Sequence, residues 1–225
     1  MRLMIDHSLS LVHLVQKPRE VAAVEPPLLL LLHGIGSNEH DLFSMRPHLD
    51  PRFLVVSVRA PIEIMASGYA WFNIEFTGEG AIVPDLDQAE ASRQLLVQFI
   101  DELAEAYAID RRSVYLMGFS QGAMMSLSVA LTRPDKVARV VAMSGRLPEQ
   151  AVSKAESLEE IRKLEIFVSH GIYDDLLPIG NGRACRDRLQ ELGVPLTYRE
   201  YPMGHEVRAE ALRDITAWLT STLER

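Results

Sequence analysis

The chain has 225 residues, 48% hydrophobic and 24% charged, with a formal net charge of −8. That balance belongs to a folded globular protein and excludes a disordered, collagen-like or coiled-coil chain. The acidic surplus, with no dense Lys/Arg run, speaks against nucleic acid as a partner; the single cysteine, Cys185, excludes an internal disulfide and suits a reducing compartment.

Read in chain order, the first residues, Met1 to His7, lack the apolar stretch of a signal peptide because Asp6 and His7 interrupt it. The longest apolar run, Leu28 to Leu32, is far short of the ~20 residues of a membrane helix. No integral membrane segment and a cytoplasmic location are therefore expected. Neither a repeat nor a low-complexity tract divides the chain, so residues 1–225 are expected to form one domain.

Leu9 to Val15 reads as a strand turned by Lys17-Pro18. Leu28 to Leu32, apolar at every position, predicts a strand buried on both faces. Phe53 to Val58 is the third strand. The long connection after it carries Pro61, Gly68, Gly78, Gly80 and Pro84 and reads as loop. Asp85 to Tyr107 reads as a helix with Asp85 and Gln88 in capping-box positions and Leu96, Phe99, Ile100, Leu103 and Tyr107 on one face. Val114 to Met117 is a strand, and Gln121 to Leu131 a helix stopped by Arg133-Pro134. Val137 to Met143, Ile166 to Ser169 and Leu196 to Tyr201 are further strands. A helix ends at Leu192 with Gly193 as its C′ residue, and the last helix runs from about Glu206 to Leu223. Strands alternating with helices imply an α/β fold with a mostly parallel sheet covered on both faces.

Gly118-Phe119-Ser120-Gln121-Gly122 lies where a strand passes directly into a helix. In that context G-x-S-x-G presents a serine on a tight, strained turn above the sheet. The helix beyond it aims free amides, Gln121's among them, at developing negative charge. A serine nucleophile needs a base and an orienting acid, following in the order Ser, Asp or Glu, His after successive strands. His205, behind Pro202-Met203-Gly204, occupies the base position; after the serine only His170 competes. Asp174 and Asp175 both follow the strand ending at Ser169, and spacing does not choose between them. A second oxyanion donor is expected from His33-Gly34-Ile35-Gly36-Ser37-Asn38, most plausibly the Ile35 amide, in a turn that Asn38 could equally cap. Trp71 and Phe72, adjacent in a loop, either plug the core or line an apolar cleft. No HExxH, paired cysteines, Walker loop or GxGxxG after a strand occurs, so neither metal nor nucleotide cofactor is expected. Met124 and Met125 read as core filler.

Taken together, these residues resemble the phospholipase/carboxylesterase family of small α/β-hydrolases, which includes acyl-protein thioesterases and lysophospholipases. The likeness spans about Leu28 to Leu223. It rests on Leu31-Leu32-His33-Gly34-Ile35-Gly36 with Asp41-Leu42, on Arg59-Ala60-Pro61 with Gly68 and Trp71-Phe72, and on Gly118 to Ala123. It continues through Ser144-Gly145 and Pro148, His170-Gly171-Ile172-Tyr173-Asp174-Asp175-Leu176-Leu177-Pro178, and Gly204-His205-Glu206. Ile172, where many members carry an acid, and Asn73, where Asp often follows Trp-Phe, depart from the pattern. The resemblance implies an α/β-hydrolase fold and a Ser120–His205–Asp174 triad, choosing Asp174 over Asp175. It also implies oxyanion donors at Ile35 and Gln121 and a substrate cleft at Trp71, Phe72 and Leu176. The implied activity is cofactor-free hydrolysis of small-molecule esters, thioesters or lysophospholipids. A dienelactone-hydrolase-like enzyme, which usually has cysteine at the elbow, and a non-catalytic binding protein, which typically lacks a triad member, are the alternatives.

Overall fold

Leu28–Leu32 is a strand with every side chain buried, and its alternation divides the core in two. Leu28, Leu30 and Leu32 face one apolar cluster; Leu29 and Leu31 face another on the opposite side of the sheet. A period-2 strand that is apolar throughout can bury both faces only if both are covered.

The computed structural model describes residues 5–6, 9–20, 25–76, 82–155 and 157–224. The strands are β1 (Ile5–Asp6), β2 (His13–Gln16), β3 (Leu28–Leu32), β4 (Leu54–Val58), β5 (Ile62–Met65), β6 (Gly68–Ala70), β7 (Ile74–Phe76), β8 (Ile82–Pro84), β9 (Val114–Phe119), β10 (Arg139–Met143), β11 (Glu165–Gly171) and β12 (Leu196–Tyr201). The helices are α1 (Leu86–Tyr107), α2 (Gln121–Thr132), α3 (Glu149–Ser153), α4 (Leu158–Ile161), α5 (Gly180–Glu191) and α6 (Ala209–Leu223), with a 3₁₀ turn over Leu42–His48. Eight strands form one sheet in the order β1-β2-β4-β3-β9-β10-β11-β12. From β4 to β12 every pairing is parallel; β2 runs antiparallel to β4, and β1 antiparallel to β2.

Leu96, Phe99, Ile100 and Leu103 of α1, the apolar side chains of α2, and Cys185 and Leu189 of α5 complete the first cluster. Leu42, Phe43, and Ile215 and Leu219 of α6 complete the second. The expected mostly parallel sheet with helices on both faces is thus the observed one.

The differences from expectation are local. The strand expected from Leu9 begins at His13, as β2, because the His13 ring bonds the Leu11 carbonyl at 2.8 Å and closes a bend there. The connection after Val58 is not all loop. It holds two hairpins, β5–β6 and β7–β8, with Ser67 at φ +61° turning the first. Three- and four-residue strands interrupted by Gly and Pro carry too little alternation to be read as strands. Gly78, Gly80, Met1–Met4 and His7 lie outside the described residues. Asp85 caps α1 by accepting from the Gln88 amide at 3.0 Å, but the Gln88 side chain accepts from the Asn73 amide instead of closing the box. The last helix starts at Ala209, three residues later than expected.

Two glycines separate close packing from open space. A Cβ on Gly122 would sit 2.0 Å from the Leu32 carbonyl oxygen, whereas one on Gly180 would meet nothing within 4 Å. Gly122→Ala is expected to destabilise by at least about 1–3 kcal/mol, because α2 must lift off β3. Gly180→Ala should be neutral or stabilising by up to about 1 kcal/mol. Urea unfolding of both variants checks the contrast; similar losses would contradict it.

Candidate active site

Parallel strands deliver their carboxyl ends to one edge of the sheet, where open α/β proteins place their sites. Ser120 lies there after β9, the 172–178 loop after β11, and the 202–206 turn after β12. The 33–38 turn follows β3, and Arg59-Ala60-Pro61 follows β4.

Ser120 has φ +53° and ψ −115°, a backbone conformation that L-residues avoid and that typically costs about 1–3 kcal/mol. Two contacts hold it there: its amide donates to Met143 O at 2.9 Å, and its carbonyl accepts from the Met124 amide at 3.1 Å. A Cβ on Gly118 would lie 2.2 Å from Gly122 O, so the elbow closes only with glycine at both flanks.

Ser120 Oγ donates to His205 Nε2 at 2.9 Å, and His205 Nδ1–H donates to Asp174 Oδ2 at 2.7 Å. The second Asp174 oxygen accepts from the amides of Leu176 at 3.0 Å and Leu177 at 2.8 Å. Asp174 is buried, while Asp175 points to solvent and Ile179 precedes α5. The Phe119 ring packs against the His205 imidazole at 4.9 Å. The structure therefore brings together Ser120, His205 and Asp174 and leaves Asp175 apart.

His170, the competing candidate for the base, bonds Leu177 and not Ser120. It is fully buried, and its Nε2–H donates to Leu177 O at 2.7 Å and lies 3.5 Å from Asp174 Oδ2. It braces the acid loop from beneath, and no competing base position results.

A Cβ on Gly34 would lie 3.3 Å from Ser120 Cβ, so the 33–38 turn passes directly over the serine. The amides of Gly36 and Ser37 are committed to Tyr69 O and Gly34 O. Asn38 Oδ1 accepts from the His40 amide at 3.0 Å and closes a local turn, while Asp41 stands at the N-cap of the 3₁₀ turn that follows. His33 is buried with Nδ1–H donating to Gly34 O at 2.7 Å and Nε2 accepting from the Ala60 amide at 3.0 Å. Burial holds its pKa below the ordinary value despite the bond to Gly34, which suits this neutral tautomer.

Trp71 and Phe72 part company. Trp71 is fully buried; its indole N–H donates to His33 O at 3.0 Å and its carbonyl accepts from Ser92 Oγ. The Gln121 side chain clamps this segment, accepting from the Trp71 amide at 3.0 Å and donating to Phe72 O at 2.7 Å. Trp71 is a wall of the site set in the core. Phe72 lines a cavity of about 620 Å³, shared with Met124, Met125, Leu147 and Cys185, whose lining does not include Trp71. The two methionines, read as core filler, are buried in the core as expected and also reach that lining. Cys185 is buried, and burial pushes its thiol up to about 12, so it is a neutral apolar wall. Leu176 contributes its amide to Asp174; its side chain is 52% exposed and outside this cavity. With Ile172 and Tyr173 it forms an exposed apolar rim on the acid loop.

Among the described residues no group of three or more His, Cys, Asp and Glu side chains is arranged to hold a metal ion, and no helix is long and apolar enough to cross a membrane.

The profile of a family described as phospholipase/carboxylesterase matches residues 14–223. Acyl-protein thioesterase 1 of Mycosarcoma maydis is 28% identical over 235 residues, covering 93% of this chain and 96% of that protein. Carboxylesterase SOBER1 of Arabidopsis thaliana is 27% identical over 158 residues, 69% of this chain and 68% of that one. The crystal structure of the Bacillus cereus carboxylesterase superimposes with a TM-score of 0.82 over 95% of each chain, at 22% identity, a likeness of fold.

The turn over Ser120 is anchored by an ion pair. Glu39, fully buried, accepts from Arg59 Nε at 2.7 Å and Nη2 at 2.6 Å, and Arg59 stacks on Tyr69. Burial pushes the Glu39 carboxyl up, but the two Arg59 bonds and charge outweigh it and hold it below its ordinary 4.5. Glu39→Gln is expected to cost about 1–3 kcal/mol at pH 7, less than a fully buried pair because Arg59 is partly exposed. A depressed carboxylate stabilises above its unfolded pKa and loses that contribution as pH falls through the folded one. The stability gap between wild type and variant should therefore narrow below pH 4.5. Urea midpoints at neutral and acidic pH measure it; a gap independent of pH would contradict the assignment.

Proposed function

The chain belongs to the phospholipase/carboxylesterase family, and on that premise we propose that it is a serine hydrolase that cleaves carboxylic esters through a covalent acyl-enzyme. The observation that carries this reading is the unbroken relay from Ser120 Oγ through His205 to buried Asp174, at 2.9 and 2.7 Å, on a strained elbow.

Ser120 Oγ attacks the ester carbonyl carbon while its proton passes to His205 Nε2. Asp174, fixed by two backbone amides, holds the tautomer that leaves Nε2 free to accept and stabilises the resulting imidazolium. The carbonyl oxygen becomes an oxyanion. It is met by the Gln121 amide, which as the first residue of α2 has no intrahelical acceptor, and by the Ile35 amide in the turn over the serine. The C–O bond to the leaving group breaks as His205 returns the proton to that oxygen. Water then attacks the acyl-enzyme, giving its proton to His205; the acid departs, and Ser120 recovers the proton. A thioester differs only in releasing a thiol, and the similarity to a protein named acyl-protein thioesterase 1 supports including thioesters among substrates. A cytoplasmic setting accompanies this reading, since the one cysteine is a buried thiol with no structural bridge to make.

Phe72, Met124, Met125 and Leu147 support an acyl site in the 620 Å³ cavity, where each buried methylene contributes up to ~0.8 kcal/mol.

Ser120→Ala is expected to lower kcat/KM for a simple p-nitrophenyl ester by about 10⁴-fold or more with the fold retained, because the triad acts as a unit. Steady-state rates of a folded sample within tenfold of wild type would overturn the mechanism.

Phe72→Ala should depress kcat/KM for an octanoate ester about tenfold more than for an acetate, since it removes apolar wall from the acyl site. Trp71→Phe, which removes the indole bond to His33 and part of the buried ring, should lower both equally. Octanoate-to-acetate ratios for the two variants decide it; a selective effect at Trp71 alone would reverse the assignment of the wall and the lining.

A further inference from the structure

Arg146 stands apart from the other cations of the cleft. It follows Ser144-Gly145 at the end of β10, the strand beside β9 in the sheet. A Cβ on Gly145 would lie 2.6 Å from Ala123 Cβ and 3.2 Å from Ser120 O, so the chain enters Arg146 pressed against the first turn of α2. Its side chain is half-buried and lines the 620 Å³ cavity with Phe72, Met124 and Leu147.

The other three cations of that lining each have a carboxylate partner. Arg93 grips Glu90 with bonds of 3.0 and 2.6 Å, Lys154 reaches the same carboxylate at 3.2 Å, and Arg188 pairs with Glu191 at 2.6 Å. Arg146 makes no hydrogen bond or ion pair with any described residue; Asp87 and Glu149, the remaining acids of the lining, stay in solvent and do not reach it. A half-buried guanidinium has lost part of its hydration without gaining a counterion. Its planar fork of donors matches a carboxylate in two parallel bonds. The chain as a whole carries −8, so the attraction is short-range, made in the cleft and not by the protein's overall field.

We infer that Arg146 selects esters that carry a second, anionic group, a carboxylate in the first place, which docks on its guanidinium while the ester carbonyl lies at Ser120. The inference rests on the esterase reading above and deepens it: the substrates are half-esters of dicarboxylic acids or esters of hydroxy acids. The anion takes no part in bond making or breaking; it fixes the pose.

The test uses matched pairs within each protein, so that a general loss of folded or active enzyme cancels. On the acyl side, the mono-p-nitrophenyl ester of glutaric acid is set against p-nitrophenyl butyrate. On the alcohol side, 4-acetoxybenzoate is set against phenyl acetate. Wild type should prefer the anionic member of one pair, and raising salt from about 0.05 to 0.5 M should weaken that preference. Arg146→Met should cut the anionic-to-neutral ratio of kcat/KM about tenfold or more, as expected for losing a charge-assisted contact, and Arg146→Lys should restore part of it. The pair that responds tells on which side of the ester the anion sits. Wild type that prefers the neutral member of both pairs, or ratios within twofold of wild type in Arg146→Met, would overturn the inference while leaving the esterase reading intact. Failure of wild type to hydrolyse any of the four esters would overturn the esterase reading and this inference with it.

Discussion

The reversal from β9 into α2 is the constraint on which the site depends. The chain turns within one residue, and backbone packs on backbone with no space for side chains. Gly118 lies against Gly122, and Gly122 against the Leu32 carbonyl. Ser120 is left at φ +53°, a cost the neighbouring strand offsets through the bond from the Ser120 amide to Met143. The geometry has two chemical consequences. The hydroxyl stands clear of the sheet, and the unpartnered amides at the start of α2 face the same space. An elbow this tight needs β3, β9 and β10 in register beneath it, which ties the site to the apolar core of the sheet.

Around the elbow, loops from five strand ends are held by buried polar groups, and each group has a specific partner. His33 links its own turn to Ala60. Glu39 and Arg59 tie the same turn to the Tyr69 hairpin. Gln121 binds the backbone of Trp71 and Phe72 on both sides. Leaving such a group unpaired costs roughly 1–3 kcal/mol, so the loops have little freedom to drift. Among the described residues only Ser144 Oγ, Ser169 Oγ and His170 Nδ1 are buried side-chain polar atoms without a partner. The cavity is different in kind, with Phe72 and two methionines in a lining that also carries charged groups, and a guanidinium without a carboxylate partner at Arg146. Rigid polar bracing under the reacting groups and an adaptable apolar wall beside them fit a hydrolase with fixed chemistry and selectable acyl groups.

Much of this was legible in the residues. The buried strands announced themselves because β3, β4, β9 and β10 are apolar on nearly every residue, and α1 because its cap and apolar stripe coincide. Ser120 and His205 could be singled out from local context, a serine at a strand-to-helix turn and a histidine after the last strand. Asp174 could not be separated from Asp175 by spacing, since that choice is made by burial and by the amides of Leu176 and Leu177, both properties of the folded loop. The hairpins after β4 escaped notice because short strands rich in turn residues carry almost no periodic signal. The different roles of Trp71 and Phe72 were likewise hidden: both are buried in the same core cluster, and only their folded neighbours separate the one bonded to His33 from the one on the cavity. The side chain of Gln121 acts through partners far away in sequence, Trp71 and Phe72, which no local pattern reveals.

The central claim is that Ser120 is the nucleophile of a hydrolase, activated by His205. Incubation with a fluorophosphonate followed by intact-mass and peptide mass spectrometry tests it directly. The account predicts one adduct per chain, formed with loss of fluoride, on the peptide containing Ser120, and strongly slowed in His205→Ala. A folded wild-type protein that acquires no adduct, or acquires it on another residue, would contradict it.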